Sequence, residues 1–140
     1  MIQAPKEVYL NNALMAFVQL FYKQSDCSPP KETDPYIDYF TSSSILIMGS
    51  NKVQGHEEIG ILRKNMWQKV TKRKHTVKNI APISEASFLL SGYVEYTLIN
   101  GKTLKTDWAA HMVFENTEFQ KMGFYQVYLD SSQMINALGN

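Results

Sequence analysis

Residues 106–115, TDWAAHMVFE, decide the fold: Trp108, His111, Met112, Val113 and Phe114 suit a pleated, half-buried surface. The stretch reads as the central strand of a curved antiparallel sheet. Runs with the same character flank it, Phe88–Ile99 before and Met122–Leu129 after, and His75–Ile83 makes a fourth. Asn100-Gly101 is the strongest short hairpin signal in the chain. A two-residue loop there pairs Tyr93 with Trp108, Leu89 with Met112 and Leu90 with His111. One face then holds Leu89, Tyr93, Glu95, Trp108, Ala110, Met112 and Phe114, and the other Phe88, Leu90, Val94, Tyr96, Asp107, His111 and Val113. Both faces are apolar, which predicts helices against one and a second copy of the chain against the other, hence a homodimer through the sheet.

Working outward, the N-terminal half reads as helices that cover the sheet. Pro5 suits a first helical turn, and Val8, Leu14, Phe17, Val18 and Phe21 recur at helical spacing, predicting one amphipathic helix over Lys6–Lys23 with Leu10 off its stripe. Ser25–Glu32 is turn-rich. Thr33 or Asp34 caps a short helix with Pro35 at its first position. Ser44–Met48 reads as the first strand and Gly49-Ser50-Asn51 as a turn. A third helix follows Gln54, with Glu57 and Glu58 in its first turn and Ile59, Leu62, Met66 and Val70 as its buried stripe, Trp67 at the edge. The basic run Lys69–Lys78 reads first as a solvated helix end and strand edge, with phosphate or nucleic-acid binding as the alternative.

A chain of 140 residues fits a single domain, 1–140 with a core of about 6–131. A net charge of +1 gives no field favouring nucleic acid or an anionic membrane. The single Cys27 precludes an intrachain disulfide and argues for a reducing compartment, and no apolar run reaches membrane-spanning length; the expected location is cytoplasmic. His56, His75 and His111 are scattered, so no metal constellation emerges, and no phosphate loop, dinucleotide fingerprint or nucleophile elbow is present.

The order helix, short helix, strand, helix, then four long strands resembles the nuclear transport factor 2-like superfamily. Within it, the chain is similar to the SnoaL-like polyketide cyclases and to relatives of scytalone dehydratase and ketosteroid isomerase. The resemblance is carried by Gly55-His56-Glu57-Glu58-Ile59, Arg73-Lys74-His75-Thr76-Val77, Gly92-Tyr93-Val94-Glu95-Tyr96 and Phe124–Asp130, and spans about residues 14–130. It implies an α+β cone-shaped half-barrel, a deep apolar pocket, usually a homodimer, and cofactor-independent isomerase, cyclase or dehydratase chemistry on a hydrophobic polyketide-, terpenoid- or alkaloid-like metabolite. His75 falls at the family's pocket histidine, and Tyr22 approximates its helix tyrosine. The acidic neighbour of that tyrosine is Lys23 here, the first-strand tyrosine is about Met48, and Ala110 or His111 stands where relatives carry Asn or Asp. A complete dehydratase or steroid-isomerase site is therefore absent, as is an Asp–Arg–Asp set. The alternative reading is a non-catalytic small-molecule-binding or dimerisation module.

The candidate catalytic groups are His75, His111, Tyr22 and Glu95. An imidazole titrates near neutrality and passes protons either way. A buried Glu95 would become a usable base, and Tyr22 can donate to an enolate. Asp107 shares a face with His111 but stands roughly 13 Å from it at about 3.3 Å per residue. The candidate substrate-binding residues are Phe17, Phe21, Phe40, Met48, Trp67, Tyr93, Trp108, Met112, Phe114 and Tyr125, with no cofactor.

Overall fold

The structure, a computed structural model, describes residues 2–139. Four α-helices, α1 (Lys6–Tyr9), α2 (Asn12–Ser25), α3 (Gly55–Trp67) and α4 (Ser132–Leu138), accompany a 3-10 turn at Pro35–Tyr39. Six strands, β1 (Phe40–Met48), β2 (Asn51–Gln54), β3 (Val70–Ser84), β4 (Ser87–Leu98), β5 (Thr103–Phe114) and β6 (Met122–Leu129), form one curved, unclosed sheet in the order β2-β1-β6-β5-β4-β3. The TDWAAHMVFE strand is β5, third from one edge. All pairs are antiparallel except β1–β6, which is parallel, so the sheet is mixed and not wholly antiparallel as expected. The parallel pair is made by residues far apart in the chain, consistent with the long crossover that such a pair requires.

The expected first helix is two. Leu10, 69% exposed, ends α1, and the Asn11 side chain accepts from the Leu14 N–H at 3.0 Å to cap a new helix. Asp34 caps the 3-10 turn through Tyr36 N–H, with Pro35 at its start. On α3 the buried residues are Ile59, Arg63 and Trp67, an i, i+4, i+8 row. The short strand β2 and the terminal helix α4 lie beyond the predicted elements.

The β4–β5 register differs from the expectation by one residue, because the loop has three residues, Ile99, Asn100 and Gly101. Leu98 pairs with Lys102, its N–H donating to Lys102 O at 2.8 Å, while Gly101 N–H donates to Leu98 O at 2.9 Å. Of the loop residues only Gly101 has positive φ, +85°, whereas a two-residue type I′ turn needs two. Gly92 therefore faces Trp108, and Tyr93 faces Asp107. β5 keeps its expected inward set of Trp108, Ala110, Met112 and Phe114. On β4 the faces are exchanged: Phe88, Leu90, Val94 and Tyr96 are buried, and Leu89, Tyr93 and Glu95 lie outside.

The core is one cluster between the concave face and the helices. Its closed end is aromatic: Phe21 meets Phe17, Tyr22, Tyr36, Tyr39, Phe40 and Tyr125 at 5.1–5.9 Å between ring centroids. Phe114 packs edge-on to Phe17 at 4.8 Å and to Phe119 at 5.0 Å. No described helix is long and apolar enough to cross a membrane.

Candidate functional site

Period-two alternation along β3 divides the basic run. Lys72, Lys74 and Lys78 are exposed, whereas Arg73 and His75 turn toward the concave side. The run is thus a solvated edge and a cavity wall at once.

His75 is held by a carboxylate that sequence reasoning missed. Asp26 ends α2 one helical turn beyond Tyr22, and its Oδ1 lies 2.6 Å from His75 Nδ1. The same carboxylate accepts the His75 backbone N–H at 3.0 and 3.1 Å. The backbone N–H anchors the carboxylate, and the ring contact places the imidazole proton on Nδ1, toward it, which leaves the Nε2 lone pair as the base. Burial lowers the His75 pKa below the usual 6.5, against the opposing hydrogen bond to Asp26, so the ring is neutral at pH 7. The position next to Tyr22 is Lys23, and only the i, i+4 relation on a helix points from Tyr22 to Asp26.

Two guanidinium groups secure the helix end that carries Asp26. Arg63, 3% exposed, donates from Nε to Asp34 Oδ2 at 2.6 Å, from Nη1 to Ser25 O at 3.3 Å and from Nη2 to Gln24 O at 3.1 Å. Arg73 donates from Nε to Ser25 O at 3.2 Å. Cations belong at this pole of a helix, where the last carbonyls lack intrahelical partners.

Around His75 stand three aromatic residues. The Tyr22 ring is 5.1 Å from both His75 and Trp108, and Tyr22 Oη lies 2.9 Å from Tyr125 Oη. Burial raises the pKa of both tyrosines, so both stay protonated. One hydroxyl donates to the other, and the pair retains one uncommitted O–H. Burial likewise pushes Tyr36 up to about 12. The buried Trp108 Nε1–H has no acceptor in the protein.

His75, Trp108, Tyr125, Arg63 and Arg73 line an inner cavity of about 30 Å3 together with Met48, Val94 and Leu129. It has room for roughly one or two water molecules. Met48, Met66, Arg73, Tyr96 and Leu129 continue into a mouth of about 160 Å3, bordered by Lys69, Asp130 and Met134. The deep pocket expected for a polycyclic metabolite is therefore small, because aromatic side chains fill the cone.

The structure brings His75, Tyr22, Trp108, Tyr125 and Met48 together. It does not bring in the others. His111 lies on the convex face, its Nε2 2.8 Å from Ser87 Oγ and its ring 5.6 Å from Phe124. Glu95 is exposed, and Tyr93 lies on the convex side under Lys105 at 4.0 Å; both were turned outward by the three-residue loop. Phe17, Phe21, Phe40, Met112 and Phe114 fill the closed end of the cone and do not line the cavity. Trp67 stacks beneath Arg73 at 4.9 Å and borders the outer groove. Among the described residues no group of three or more His, Cys, Asp or Glu is placed to hold a metal ion.

Neither a family model nor a curated protein matches the sequence. Solved structures match its fold. A provisionally named SnoaL-like polyketide cyclase from Jannaschia sp. CCS1 superposes with a TM-score of 0.72 at 11% identity, covering 91% of this chain and 92% of that one. A protein of ketosteroid isomerase-like fold from Catenulispora acidiphila, in complex with trimethylamine, gives 0.73 at 10% identity over 88% and 92%. TerC, co-crystallised with polyporic acid, gives 0.70 at 10% identity over 91% and 96%. The chain has the nuclear transport factor 2-like fold, α+β with N-terminal helices on a curved six-stranded sheet.

Proposed function

We propose that the chain is a cofactor-independent acid–base enzyme, an isomerase, cyclase or dehydratase, acting on a small hydrophobic carbonyl metabolite of polyketide, terpenoid or alkaloid kind. The observation that carries this reading is the Asp26-fixed imidazole of His75 on the wall of the inner cavity, beside an unpartnered Trp108 N–H. His75 Nε2 takes a proton from the carbon next to the carbonyl, and the bond pair becomes an enolate. Trp108 Nε1–H or the free O–H of the tyrosine pair donates to the enolate oxygen. The imidazolium, stabilised by Asp26, then returns the proton to another carbon or to a leaving hydroxyl. Two structures of this fold were obtained with small molecules, trimethylamine and polyporic acid, which supports small-molecule binding by this chain. The size of cavity and mouth favours a monocyclic compound.

Hydrogen–deuterium exchange at the α-carbon of cyclohexanone and phenylpyruvate in D2O, followed by proton NMR, tests the proposal. The protein should accelerate exchange, and His75→Gln should reduce the acceleration about a hundredfold. Because the base is the neutral ring and burial lowers its pKa, the rate should be on its plateau at pH 7 and fall only as the pH drops through a value below 6.5. Exchange no faster in the native protein than in His75→Gln would remove the reading. The methionines of the mouth, Met48, Met66 and Met134, are adaptable and favour a second one, a non-catalytic binding module. A co-purified ligand without exchange activity would select it.

The convex face carries exposed Leu89 and Tyr128 and half-buried Ile45, Ile47, Val113 and Phe124, the surface on which we place a homodimer. Sedimentation at micromolar concentration should give a dimer, converted to monomer by Tyr128→Glu. A native monomer would discard the interface.

A further inference from the structure

Arg73 is the cavity cation that no carboxylate neutralises. Arg63 is paired with Asp34 at 2.6 Å, and the nearest alternative, Asp26, is occupied by the ring and backbone of His75. Among the described residues Arg73 forms no ion pair. Its Nε and Nη2 both donate to the single carbonyl of Ser25, and its face rests on the Trp67 ring at 4.9 Å. A guanidinium has five N–H donors, so three, including both on Nη1, have no protein acceptor. Capping α2 does not account for this group, since Arg63 already donates to the carbonyls of Gln24, Ser25 and Cys27. Burial lowers the Arg73 pKa, the mark of a cation short of solvation.

The same side chain borders both the inner cavity and the mouth, and no carboxylate lines the inner cavity. At the mouth Lys69 adds a positive charge and Asp130 a negative one. We infer that Arg73 is the anion-recognising residue of this cavity and that its ligand is a small monoanion, a carboxylate or acidic enol, with an apolar body. The inference rests on the cavity being the ligand site proposed above. A carboxylate matches the free edge of the fork, which fixes its plane as well as its charge. Met48, Met66 and Leu129, which line both spaces, then cover the apolar body, and His75 stands on the wall of the inner one. Arg73 thus selects the substrate and His75 transforms it.

The probes are benzoate and its neutral isostere benzamide, titrated calorimetrically into the full chain. Benzoate should bind at least tenfold more tightly, Arg73→Met should abolish that preference, and Arg73→Lys should retain part of it. Because Arg73 also holds Ser25, the native protein supplies an independent reading: the Arg73 Nε–H resonance should shift with benzoate and stay in place with benzamide. Equal affinities, a preference that survives in Arg73→Met, or an unmoved resonance would overturn the inference. His75→Gln should keep the preference for benzoate. In the native protein, a preference for benzoate without accelerated exchange refutes the catalytic reading alone, and accelerated exchange without that preference refutes anion recognition alone.

Discussion

Arg63→Met should destabilise the protein by about 3–5 kcal/mol, the usual consequence of removing one partner from a buried ion pair. Methionine matches the length and apolar stem of arginine, so the loss comes from what remains behind. Asp34 is 6% exposed, and its Oδ2 would be a buried carboxylate without its cation. The carbonyls of Gln24, Ser25 and Cys27 would lose donors at the same time, and the face of Tyr36, 4.3 Å from the guanidinium, its cation. Against a total stability of about 5–15 kcal/mol this is a large fraction. Urea unfolding measures it directly. The stranded charge is separable from the lost carbonyl bonds: Asp34→Asn removes the charge but keeps an oxygen to cap Tyr36 N–H. Arg63→Met/Asp34→Asn should therefore be more stable than Arg63→Met. If Asp34→Asn instead adds a further loss, the carbonyl contacts and not the ion pair dominate.

Arg63 also shows why the candidate site was only partly legible in the sequence. Position 63 follows Ile59 and precedes Trp67 at helical spacing, yet a charged residue on a buried stripe reads as an interruption. The rule that buried charges are paired would have turned it into a search for a carboxylate. His75 and Tyr22 were found through family likeness, and Trp108 through the apolar weight of its strand. Asp26 was missed because the resemblance directed attention to the residue beside Tyr22, while the helix delivers a carboxylate one turn later. The misplacement of Tyr93 and Glu95 has a single cause: Asn-Gly suits both a two-residue loop and a three-residue loop with one left-handed glycine. One residue of loop length inverts every side chain of β4. The alternation Phe88, Leu90, Val94, Tyr96, Leu98 against Ser91, Tyr93, Glu95 and Thr97 held the answer, since only the three-residue loop buries the first set together with Trp108.

Gly92→Ala should cost about 3 kcal/mol, the upper end for an inserted methyl that forces backbone to move. Gly92 pairs with Val77 on one side and Trp108 on the other, at a point where the β3–β4 register shifts past Lys78. A Cβ there would stand 1.9 Å from Thr76 O and 3.1 Å from Trp108 Cζ2. The two distances decide which neighbour matters. The indole can tilt by a few tenths of an ångström, whereas the Thr76 carbonyl belongs to the strand and moves only with it. Thr76 follows His75 directly, so a displaced β3 draws the imidazole from Asp26 and loosens the cavity wall. The variant should accordingly lose both stability and α-carbon exchange activity, by thermal unfolding and by NMR. Trp108→Ala combined with Gly92→Ala should recover nothing, because the oxygen clash persists. Recovery in the double variant would make Trp108 the obstacle, and a Gly92→Ala protein as stable as the native one would mean that β3 and β4 do not approach this closely.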